Sequence, residues 1–223
     1  MHTAFESLLL TVALCVAASS APAQARAVDD EALEGLEGTL FARAGRQVDK
    51  DRLQACDLEF AALVRPSDKA ASLVKVSGVL DFRIAREGVP VYVLKLGLVD
   101  NPGPDERAAA PANAFIRAPG GKVPRTALRL RSDAGYALFM AQVDEATVAA
   151  YASMLEQSRF ELGFSRRAGR KPSTVIVDLS VVDTRVVGGQ VLRTRSRAVA
   201  DDFGACTVEL FGGAAPPSGN SAR

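Results

Sequence analysis

The chain has 223 residues, a formal net charge of +1 and 48% hydrophobic residues, with no tryptophan, three tyrosines and one histidine. This length fits one folded domain, and the near-zero charge excludes the strong field by which proteins attract nucleic-acid phosphates. His2 lies in the apolar N-terminal segment, so everything after it lacks the imidazole that Ser-His-Asp and Cys-His catalysis and the usual zinc sites require.

Ser7 to Ser20 (SLLLTVALCVAASS) is an apolar run too short to cross a bilayer comfortably, and an A-x-A match follows at Ala23 to Ala25. These features predict a signal peptide over residues 1–25, cleaved before Arg26, although the segment before the apolar run carries no Lys or Arg. The protein is then expected in the periplasm or secreted, and not membrane-spanning after cleavage. Cys15 leaves with the leader. Cys56 and Cys206 remain as an even pair in an oxidising compartment and are expected to form a disulfide tying the first core strand to the last. Closing a loop of about 150 residues restricts the unfolded chain by roughly 5 kcal/mol in the chain-entropy model.

Residues 26–51 read as a surface lead-in, acidic from Asp29 to Glu37 and weakened as a helix by Gly35 and Gly38. A β domain is expected over 52–211. Cys56, Leu58, Phe60, Ala62 and Val64 alternate with Asp57 and Glu59, the pattern of a strand with one wet face. Val74 to Ile84 and Tyr92 to Leu98 alternate in the same way around Arg86-Glu87-Gly88, predicting a hairpin. Residues 101–125, rich in Pro, Gly and Ala, read as the longest irregular connection, broken only by Ala114-Phe115-Ile116. A second hairpin is predicted from 127–131 and 136–143.

One helix is predicted from Asp144 as N-cap, with Val148, Tyr151, Ala152 and Leu155 as its buried stripe. Phe160 to Phe164 and Val175 to Val181 then predict a third hairpin around a basic loop, and Gly188-Gly189 a tight two-residue turn. Cys206 to Phe211 reads as a last apolar strand, and 212–223 as a disordered tail. The fold class that follows is all-β, mostly antiparallel: a β-sandwich or partly closed barrel with one inserted α-helix.

No catalytic residue, metal ligand set or cofactor motif emerges. The glycine patterns that cradle phosphates are absent, Gly120-Gly121-Lys122 reads as a turn, and the 100–106 segment lacks the ligand order of a calcium loop. Carboxylates that could pair for hydrolysis, among them Asp100, Asp105, Glu106, Asp178, Asp183, Asp201 and Asp202, are singled out by nothing. The positive feature is basic. Arg166, Arg167, Arg170 and Lys171 fill one hairpin loop, and Arg193, Arg195 and Arg197 alternate so that a strand would aim all three at one face. If adjacent, they form an anion-binding surface, since guanidinium groups fork onto phosphate and carboxylate.

The function expected is that of an exported, non-catalytic domain binding a partner protein or an anionic or amphiphilic envelope component, with no nucleic acid and no cofactor. The alternatives are a carboxylate-dependent hydrolase of an envelope polymer, marked by two acidic groups in one concave pocket, and a lipid carrier, marked by an elongated apolar cavity between two sheets.

Overall fold

The computed structural model describes residues 35–66, 73–85, 88–100, 102, 107–125, 127–133 and 135–212. The expected leader, the first part of the lead-in and all but the first residue of the expected tail lie outside them. Among the described residues eleven strands follow in chain order: β1 Gly38–Asp49, β2 Arg52–Val64, β3 Val74–Ile84, β4 Pro90–Asp100, β5 Asn113–Arg117, β6 Leu128–Arg131, β7 Tyr136–Gln142, β8 Arg159–Ser165, β9 Ser173–Asp178, β10 Val181–Val187 and β11 Gln190–Arg195. Helix α1, Glu145–Gln157, separates β7 from β8, and helix α2, Ala198–Gly212, follows β11.

The strands form a six-stranded sheet in the order β1-β2-β3-β4-β7-β6, a three-stranded sheet β5-β8-β9 and a hairpin β10-β11, every pair antiparallel. The fold is therefore mostly antiparallel β, built as a sandwich of open sheets. The inner face of the large sheet carries the alternating residues read from the sequence: Cys56, Leu58 and Phe60 on β2, Leu80 and Phe82 on β3, and Tyr92, Leu94 and Leu96 on β4 are all 2% exposed or less. Removing such side chains from water is the main stabilising term, about 1.5–3 kcal/mol for each large aliphatic or aromatic residue.

Two different layers cover this face. The three-stranded sheet covers one end, where the Phe60 and Phe160 rings meet edge to face at 5.6 Å. Thr39 stitches the layers: its Oγ1 donates to the Ile176 carbonyl at 3.4 Å and accepts from the Asp178 amide at 2.7 Å. At the other end α2 lies over β1, β2 and β3, and α1 sits beside α2 and against β8 and β5. The disulfide Cys56–Cys206, with Cα atoms 5.9 Å apart, fastens α2 to β2.

Several expectations need correction. The segment Cys206 to Phe211 is not a strand but the end of α2, whose buried Val199, Phe203, Cys206 and Leu210 recur with helical spacing. The disulfide thus joins the first predicted core strand to a helix. The lead-in expected over 26–51 contains β1, so the β domain begins before residue 52; β1 pairs along most of β2, which presents its free edge to it. The run Ala114-Phe115-Ile116 belongs to a true strand, β5, paired with β8. In α1 the N-cap is as expected, Asp144 Oδ1 accepting from the Thr147 amide at 2.9 Å, but the buried residues are Thr147, Ala150, Ser153 and Met154. Val148, expected in the core, is 54% exposed.

Candidate functional site

Val148 is exposed because the helices do not close the end of the sheet. Beyond Phe82 and Tyr92, the next inward residues of the β3-β4 hairpin are Ile84 and Pro90, which stand opposite each other in the register. There the helices leave an open groove of about 420 Å³, walled by Phe82, Ile84, Pro90, Val148, Tyr151 and Phe211. Its floor is an aromatic cluster in which the Phe82 ring lies 5.8 Å from Tyr151 and 5.7 Å from Phe203.

The polar groups near this groove are already committed or chemically quiet. The Tyr151 hydroxyl is bonded to Thr207 Oγ1, which donates in turn to the Phe203 carbonyl at 2.9 Å. The Tyr92 hydroxyl, wholly buried, is pushed up to about 12 by burial and then by the charge of Asp144. A phenol held so far up is no acid or base near neutral pH, and among the described residues no Asp, Glu, Lys or Arg lines the groove. The arrangement suits an apolar guest.

The basic residues singled out in the sequence are divided by the fold. The loop 166–171 sits at one end of the β8-β9 hairpin, whereas Arg195 reaches Asp178 at the other end of β9, about 17 Å away for a strand of this length. Arg166 forks onto Asp100 at 2.6 and 2.9 Å. Arg167, Arg170 and Lys171 are exposed, with no ion pair among the described residues.

Arg193, Arg195 and Arg197 act mainly as internal ties. Arg193 donates to the carbonyls of Gly35 and Glu37 at 3.1 and 2.9 Å. Arg195 donates to Asp178 and to Ser180, both at 2.8 Å. Burial works against the charge of Asp178, but the hydrogen bonds from Ser180 and Arg195 outweigh it and hold the carboxyl below its ordinary value. Arg197 lies past the end of β11 and donates to the Leu155 carbonyl at 2.5 Å, holding the end of α1.

The carboxylates considered for hydrolysis are dispersed among these ties: Asp100 with Arg166, Asp178 with Arg195, Asp183 with Arg185 at 2.5 Å, and Asp201 with Arg197 at 3.4 Å. Asp202 is exposed, and Asp105 and Glu106 lie outside the described residues. The carboxylates that do face each other, Asp57 and Asp81, lie on the outer face of the large sheet, where the alternation of β2 and β3 puts their polar residues. A shallow groove of about 450 Å³ on the same face, near Lys75, Ser77, Lys95 and Tyr136, includes one carboxylate among the described residues, Glu59.

Between the two sheets the space is filled, with Phe60, Leu96, Ile116, Phe160 and Leu162 all without exposed surface. No helix among the described residues is long and apolar enough to cross a membrane. Comparison with protein-family models, with curated proteins and with solved structures finds no match to this chain.

Proposed function

We propose that this chain is an exported, non-catalytic binding domain that holds the apolar part of an amphiphilic envelope component in the groove at the helical end of the sandwich. The observation that carries the reading is the groove itself. Folded chains bury aromatic and aliphatic side chains wherever they can, yet here Phe82, Ile84, Val148, Tyr151 and Phe211 surround open space, with no charged side chain in the groove's lining among the described residues. A pocket that is almost wholly apolar, and whose phenol at Tyr151 is already bonded to Thr207, is suited to binding rather than chemistry. The disulfide supports a location outside the reducing cytoplasm.

The reading is tested by titrating the full chain with an uncharged fluorescent apolar probe, N-phenyl-1-naphthylamine, and displacing it with a single-chain lysophospholipid. Val148 is already half-exposed, so Val148→Asp leaves the core intact while placing a charge in the groove wall. Phe211→Ser removes one aromatic wall. Each is expected to weaken probe binding about tenfold or more, the equivalent of one lost apolar side-chain contact. Equal affinity in the wild type and both variants would place the binding elsewhere and discard this function.

A further inference from the structure

Asp57 on β2 and Asp81 on β3 stand directly opposite each other in the antiparallel register. Residues so placed have Cβ atoms about 4.5–5.5 Å apart, and like charges there repel. On β1 the residue opposite Asp57 is Gly45, and an Asp57 oxygen lies 2.5 Å from where a β-carbon on Gly45 would stand. The carboxyl group therefore lies over β1, in space that only glycine leaves open.

The surroundings of the two groups differ. Asp81 is 9% exposed, accepts from Gln47 Nε2 at 3.2 Å and is bonded to Arg83. Among the described residues no cation is bonded to Asp57: Arg43, two residues before Gly45 on β1, donates to Glu59 at 2.5 Å and only offsets part of the rise through its charge. On β4, Val93 stands opposite Asp81, and Lys95 in the next row is held by Asp133 at 2.5 Å. The charged groups facing the pair are thus Arg43 from β1, Glu59 from β2, Arg83 from β3 and, one row away, Lys95 from β4. Among the described residues three carboxylates meet two nearby cations, each of which already has its own partner.

We propose that Asp57 and Asp81 form a proton-operated clamp across β2 and β3: with a proton on Asp57 a single negative charge stands between the strands, and on its loss two negative charges face each other and loosen this end of the large sheet. Asp57 is the member that takes the proton, since Asp81 is stabilised as a carboxylate by Arg83. Burial, first, and for Asp57 the charges of Asp81 and Glu59, raise both carboxyls above the ordinary aspartate value of 3.8. Between 3.8 and the raised values the folded chain binds more protons than the unfolded one. Stability from this pair is therefore fully present below 3.8 and is lost as pH rises through the folded-state values. Asp144, Asp178 and Glu161, whose hydrogen bonds outweigh burial and lower their values, act in the opposite sense and in a lower window, losing stability as pH falls through those lowered values.

The clamp is tested by following the melting temperature of the full chain from pH 7.5 to 3, beside Asp57→Asn. The asparagine keeps the shape and removes the second charge. The variant is expected to melt about 2 °C above the wild type at pH 7.5 and to converge with it in acid. A difference that stays constant with pH would overturn the proposal. Carboxyl carbon shifts of the wild type supply a second readout: Asp57 and Asp81 should titrate together above 3.8, and independent titration at or below that value would equally sink it.

Discussion

The inner face of the large sheet is covered at one end by a second sheet and at the other by two helices, and the coverings differ in how completely they close it. Under β5, β8 and β9 the side chains of facing strands interdigitate, and Phe60, Leu96, Phe160 and Leu162 reach zero exposure. Under α1 and α2 the deep row closes around Phe82, Tyr92 and Phe203, but the row beyond it, at Ile84 and Pro90, stays open. Two pleated surfaces can follow each other's twist over several rows. A helix is a cylinder about 10 Å across and meets a twisted sheet along a line, so a wedge is left where the strands run past it. The incompletely closed end is where the candidate site lies.

That contrast can be broken most sharply by Phe160→Ala at the closed end. The side chain has no exposed surface and contacts Phe60, so its loss is expected to cost about 3–5 kcal/mol in chemical unfolding. A loss below about 1 kcal/mol would mean that this end repacks freely. Removing the disulfide by replacing Cys56 and Cys206 with alanine acts on the helical end and is expected to cost about 2–4 kcal/mol, with probe binding in the groove falling in step as α2 loosens. Unchanged stability would show that packing alone seats the helix. Asp144→Ala removes the cap of α1, with the bonds to Thr147 and Arg125, and is expected to cost about 1 kcal/mol. Hydrogen exchange should quicken in the first turn of α1 while β8 and β9 keep their protection. Equal loosening of both ends would erase the distinction.

The closed end was the more legible in the sequence. Strands with one buried face announce themselves by alternation, and β2, β3, β4, β8 and β9 were found this way; turn glycines marked the β3-β4 hairpin, with Gly88 at φ 75, and the β10-β11 hairpin, with Gly188-Gly189 at φ 58 and 80. The β1-β2 hairpin escaped because its two turn residues are Lys50 and Asp51, which take φ 48 and 61 without the Asn or Gly that normally signals such a turn. Helix α2 escaped because Cys206, Val208 and Leu210 alternate over a short window, and only the longer interval from Val199 reveals a helical period.

The candidate site was less legible still. Phe82, Tyr151 and Phe211 each read as core residues, and nothing local marks the place where a hairpin and two helices fail to meet. Basic residues looked free because their partners are distant in the chain: Arg166 answers Asp100, 66 residues earlier, and Arg193 binds the carbonyl of Gly35, 158 residues earlier. The opposition of Asp57 and Asp81 is a matter of strand register, which one sequence does not declare.

The bond between residues 56 and 206 also decides how the molecule would carry a mechanical load. Tension applied at the two ends of the chain would run along β1 and into β2 as far as Cys56, cross to Cys206 and leave through the last turn of α2, bypassing the strands and α1 in the 150-residue span between. Pulling would strip β1 and the end of α2 but leave the closed sandwich slack, a shielded loop that unravels only when the sulfur bridge is reduced.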